Sequence, residues 1–171
     1  MTKLTDVLDV VDPEPWFAGL EERFGIQPAA FDGYVLHRPN NKTLWIVAAD
    51  HEPPPRPPNA GVGLGFLHTA MAVPKLTTQA AMAFGHHATR NVVTLDEAGA
   101  DRYLRRDDVT LEAGELVDGD GDGYVLLRCR GLTLGVGFLR VGESGTGRIR
   151  SLFPKAWSIA DSSAFETRTW K

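Results

Sequence analysis

Residues 147–157, GRIRSLFPKAW, hold Arg148, Arg150 and Lys155 among Leu152, Phe153 and Trp157, with one proline and no acid. On a strand, Arg148 and Arg150 share one face and Ile149 takes the other, because successive side chains alternate. Two guanidinium forks side by side on a sheet edge suit phosphate oxygens, and Lys155 adds a compact positive charge. Phe153 and Trp157 can stack on bases or close a core. The plainer alternative for the cations is a solvated edge.

Other patterns carry less chemistry. DGDGDG at 118–123 sets Asp118, Asp120, Asp122 and Gly123 at the opening positions of a calcium loop. Cys129 stands where the bidentate Glu belongs, and the run opens into a strand instead of a helix, so it reads as an acidic surface turn. GVGLG at 61–65 lacks the dinucleotide glycine spacing and reads as a bent strand. His86 and His87 are adjacent, about 100° apart on a helix, and do not readily share a metal. No Ser-His-Asp order, nucleophile elbow or carboxylate pair stands out. The single cysteine, Cys129, excludes an internal disulfide and reads as core filler beside Val125 and Leu127. No catalytic residue, metal or cofactor is expected.

The net charge of -4 conceals alternating blocks. Residues 1–52 carry 4 Lys/Arg and 9 Asp/Glu, residues 53–95 carry 3 and 0, residues 96–123 carry 3 and 10, and residues 124–157 carry 6 and 1. Two segments poor in acid therefore flank an acidic one, and a polyanion would meet a local positive field if both fold onto one face. No run is long and apolar enough for a membrane span, and the acid-interrupted start is no signal peptide, so a cytoplasmic protein without membrane contact is expected.

The elements that must position these residues can be read in turn. Residues 14–24 predict a helix with Trp16, Phe17, Leu20 and Phe24 on one side and Gly25 as its stop. Two β-rich runs flank Pro39-Asn40-Asn41 as a hairpin. Five prolines in HEPPPRPPNAG make residues 51–60 a stiff connector between domains. Beyond it come a Gly-rich strand, a helix capped by Thr77 or Thr78 and ending near Gly85, the short strand NVVTL, and a helix capped by Asp96. Two strong strands follow, joined by a tight turn at Gly131, and then the strand RIRSLF. Many short strands with glycine at the bends suggest a small mixed barrel.

The block GYVLLRCRGLTLGVGFLRVGE followed by GRIRSLFPKAW resembles the PUA-like RNA-binding domain that ends many Fmu/Nop/Sun-type ribosomal RNA cytosine-5 methyltransferases. Arg128, Gly131, Leu134, Gly135, Gly137, Gly147, Pro154 and Lys155 match its strand pair and its closing PK motif. Arg150 replaces the family's lysine ahead of that motif, and the trailing arginine is displaced. Upstream, PKLTTQAAMAFGHHATRNVVTLDEAGADRYL looks like the helix, strand and helix that precede them. No methyltransferase sheet and no Pro-Cys catalytic context accompany the block, so the resemblance implies RNA binding without catalysis.

The fold class expected is therefore α+β: an N-terminal α+β unit at 1–50, a linker at 51–60, a PUA-like mixed β-barrel with two short helices at 61–157, and a tail at 158–171. The resemblance implies structured RNA, ribosomal or transfer, as partner, together with an RNA methyltransferase or ribosome-assembly protein. Lys75, Arg90, Arg148, Arg150 and Lys155 would hold the RNA backbone, with Thr77 and His86 beside it. A protein-interaction adaptor and a small enzyme with an unrecognised site are the alternatives.

Overall fold

The computed structural model describes residues 4–53 and 61–158, so most of the proline-rich connector and nearly all of the tail lie outside the described residues. The chain divides into two units, Met1–Ala88 and Thr89–Lys171.

In the first unit, helix α1 spans Glu14–Phe24. Asp12 accepts from the Glu14 amide, Pro15 sits where a helix needs no amide donor, and Gly25 ends the helix at φ 65°. Phe17, Leu20 and Phe24 turn inward at helical spacing. Strands β1 (Tyr34–His37), β2 (Thr43–Ala48), β3 (Leu64–His68) and β4 (Lys75–Leu76) form an antiparallel sheet in that order. Asn40 Oδ1 accepts from the Lys42 and Thr43 amides and shapes the expected β1–β2 turn. Helix α2 (Thr78–Phe84) packs on β3. The core here is aromatic: Phe17 stacks on Phe31 at 4.3 Å, and Phe66 meets Phe31 and Phe84 edge-on at 5.4 and 5.9 Å.

This arrangement moves the boundary expected from the prolines. The prolines place the segment from residue 61 to α2 in the C-terminal barrel; in the structure β3 and β4 extend the N-terminal sheet and the division falls after Ala88. The physical reason is that closing a longer loop costs only slowly growing entropy, so β3 can pair with β2 across the proline stretch. Prolines restrict the backbone locally and do not decide which strands pair on either side of them.

In the second unit, strands β5 (Val92–Thr94), β6 (Val109–Leu111), β7 (Leu116–Val117), β8 (Gly123–Cys129), β9 (Leu132–Val141) and β10 (Gly147–Ser151) form a curled sheet ordered β6-β10-β9-β8-β5-β7. Only the β5–β8 pairing is parallel. Helix α3 (Glu97–Leu104) lies between β5 and β6 in the chain and is capped by Asp96, as its sequence predicts. Among the described residues this unit holds one α-helix where two were expected, because α2 belongs to the first sheet. Arg130 and Gly131, at φ 50° and 77°, make the β8–β9 turn. The core joins Val93, Tyr103, Val125, Leu127, Leu139, Ile149 and Phe153, and burial drives the Tyr103 phenol well above its ordinary pKa. Tyr103 donates to the Val136 carbonyl at 3.0 Å and Ser151 donates to the Tyr103 carbonyl at 2.8 Å, which tie α3 to β9 and β10.

Candidate nucleic-acid interface

The expected alternation holds along β10: Ile149 is fully buried while Arg148 and Arg150 are exposed. The strand is not a sheet edge, however, since β6 and β9 pair with its two sides. Arg148 therefore stands between Thr110 on β6 and Arg140 on β9, and Arg150 stands opposite Phe138. Directly opposed residues share a face, so Arg140, Arg148, Arg150 and Phe138 form one patch. Arg140 lies over the Phe138 ring at 4.9 Å, and Tyr124 meets the same ring edge-on at 5.4 Å.

Carboxylates offset part of this charge. Arg148 Nε lies 2.6 Å from Asp108 Oδ2, and Arg140 Nη1 lies 2.8 Å from Asp122 Oδ2. Asp122 also accepts from the Val141 amide, and the Arg140 bond together with this one holds its carboxyl below the ordinary range. Arg150 has no carboxylate partner among the described residues.

Past β10 the chain enters the PK turn. Phe153 is buried against Tyr103 at 5.6 Å, so its core role is the one realised. Pro154 opens a tight turn over Lys155–Trp157, and Ser158 Oγ donates to the Leu104 carbonyl, fastening the turn to the end of α3. Lys155 is exposed with no carboxylate partner among the described residues. Trp157 packs edge-on against Phe153 at 6.2 Å yet remains 45% exposed. The segment quoted at the outset thus divides its aromatics: one closes the core and the other offers a flat face to solvent beside a lysine.

The remaining expected contacts separate. Arg90 is bound to Asp120 at 2.6 Å, and the same carboxylate accepts from Asn91 Nδ2 at 3.0 Å. Arg90 is thereby a clamp on the acidic loop. Lys75, Thr77 and His86 all belong to the first unit. Thr77 is buried, and its hydroxyl donates to the Gly65 carbonyl at 2.6 Å and accepts from the Ala80 amide at 3.0 Å, so it is committed to capping α2. His86 is exposed and packs on His87 at 3.9 Å. Lys75 sits half-buried on β4 next to His68. Cys129, expected in the core, is partly exposed at the end of β8. Phe138 and Arg140 were not singled out in the sequence; alternation from Arg148 would have found them only with the β9–β10 register in hand.

Residues 90–159 match the family described as the Methyltransferase RsmF PUA domain. The match starts one residue after the second unit begins and takes in the β8–β9 pair, β10 and the PK turn. The resemblance read from those motifs is borne out over this range. The upstream residues from 61 to 89 fall outside it. No curated protein matches the chain.

Proposed function

We propose that this chain is a non-catalytic RNA-binding protein of the cytoplasm. Its second unit holds structured ribosomal or transfer RNA during ribosome assembly or RNA modification, in company with an RNA methyltransferase. The observation that carries this reading is that Arg150 and Lys155, exposed and without carboxylate partners among the described residues, share one short segment with the exposed Trp157. The match of residues 90–159 to a domain named for a methyltransferase supports the same assignment. Guanidinium and ammonium groups bind phosphate, and an aromatic face accepts an unpaired base whatever its identity. Arg148 enters as a reserve: it must first exchange Asp108 for phosphate. Binding of this kind suits bulged or single-stranded RNA, whose base faces are accessible.

A short hairpin RNA with an unpaired flank, titrated at several salt concentrations, tests the proposal. Each phosphate contact on a single strand contributes about 0.7 to the slope of log affinity against log salt, so Arg150→Ala with Lys155→Ala should lower it by roughly 1.4. Trp157→Ala should weaken the flanked hairpin by about 1–3 kcal/mol and leave a blunt duplex unaffected. Variants that bind with the parent's slope would show the cations to be a solvated surface and return the adaptor reading.

A further inference from the structure

The first sheet carries charge of one sign. Neither residues 33–49 nor residues 53–95 contain an Asp or Glu, so all four strands and the β1–β2 and β3–β4 turns lack carboxylates. At one end of this sheet, Thr43 pairs with His68, and His68 pairs with Lys75. Directly opposed residues share a face, so Thr43, His68 and Lys75 form one row across β2, β3 and β4. Thr43 Oγ1 lies 3.4 Å from His68 Nδ1. Lys42 precedes the row and is exposed.

A histidine and a lysine thus sit side by side and partly buried, and neither has a carboxylate partner among the described residues. Burial lowers the His68 pKa and the neighbouring Lys75 lowers it further, while burial also lowers that of Lys75. Both shifts disfavour the charged forms, so the His68 ring rests neutral beside Lys75, and an anion bound against the pair would favour the charged forms again.

We infer that the Thr43–His68–Lys75 row is a phosphate-binding site of the first unit. The ligand chemistry is a phosphate monoester or diester: Lys75 supplies charge, the His68 ring donates an N–H and takes up a proton as the anion binds, and the Thr43 hydroxyl donates to a remaining oxygen. The site lies outside the segment matched to the PUA domain and does not depend on RNA binding by Arg150 and Lys155. Where that reading also holds, the row gives the N-terminal unit its own grip on the RNA backbone.

The test follows the His68 ring and Thr69 amide resonances of the full chain by NMR. Inorganic phosphate is titrated in one arm and a short single-stranded RNA in the other, in wild type, Lys75→Gln and Lys75→Arg. The expected result is a saturable shift of both resonances that is lost in Lys75→Gln and retained in Lys75→Arg. Shifts with RNA assign the ligand to a nucleic-acid backbone; shifts with phosphate alone assign it to a small phosphorylated compound, and either result upholds the site. Resonances that stay still in both arms, with the protein folded, overturn it. Arg150→Ala with Lys155→Ala in the same titration keeps the two readings apart, since it should leave the His68 response to phosphate intact.

Discussion

Asn91 is fully buried at φ 51°, a left-handed backbone position that costs most residues roughly 1–2 kcal/mol and that asparagine tolerates better. Its side chain and Asp120 bond reciprocally: Nδ2 donates to the carboxylate, and the Asp120 amide donates to Oδ1. Arg90 completes the clamp. The strongest electrostatic contact of Arg90 is therefore internal, which separates it from Arg150 although both looked alike as cations in sequence. Asp120→Ala should cost about 1–3 kcal/mol in a urea melt, because a buried amide loses its carboxylate. Arg90→Ala should cost less, since that pair is more exposed. Neither change should alter the salt slope of RNA binding by the second unit, whereas Arg150→Ala alters the slope and spares the melt.

At the scale of elements, glycine does two different jobs in the β8–β9–β10 region. A methyl group on Gly137 would lie 2.9 Å from Leu127 and closer still to Ile149, both in the core. Gly131 has nothing within 4 Å but sits at φ 77° in the hairpin turn. Gly137→Ala should destabilise by about 1–3 kcal/mol through overpacking. Gly131→Ala should cost about 1–2 kcal/mol through backbone strain alone. Ile149→Ala combined with each variant separates the two causes by thermal melting: it should recover part of the Gly137→Ala loss and none of the Gly131→Ala loss. The PK turn belongs to this scale as well. Ser158 anchors it to α3, so the position of Lys155 and Trp157 is set by a helix more than fifty residues earlier in the chain.

For the whole molecule, the division after Ala88 carries a direct consequence. The second sheet, α3 and the PK turn all lie beyond Thr89, and the core of that unit is built from its own residues. Residues 89–158 expressed alone should fold cooperatively, with a single two-state denaturant transition and the RNA salt slope of the second unit. A protein beginning at residue 61 should gain no stability from the added strands, because β3 and β4 would lack β2. Circular dichroism melts of the two proteins test this boundary against the one suggested by the prolines.

Much that is local was legible in the sequence. The limits of α1, the Asp96 cap, a cap at Thr77 or Thr78, the Gly131 turn and the shared face of Arg148 and Arg150 each follow from backbone preferences settled within a few residues. The strand-pair and PK motifs were legible for the same reason, since they are short and contiguous. Tertiary structure alone decided that β3 pairs with β2 across the proline stretch, that β10 lies inside its sheet, and that Asp120 and Asp108 meet Arg90 and Arg148. It also brought Thr43, His68 and Lys75, spread over more than thirty residues, into one row. Strand order and charge pairing depend on the packing of whole sheets, a sum over distant residues that no short window of sequence contains.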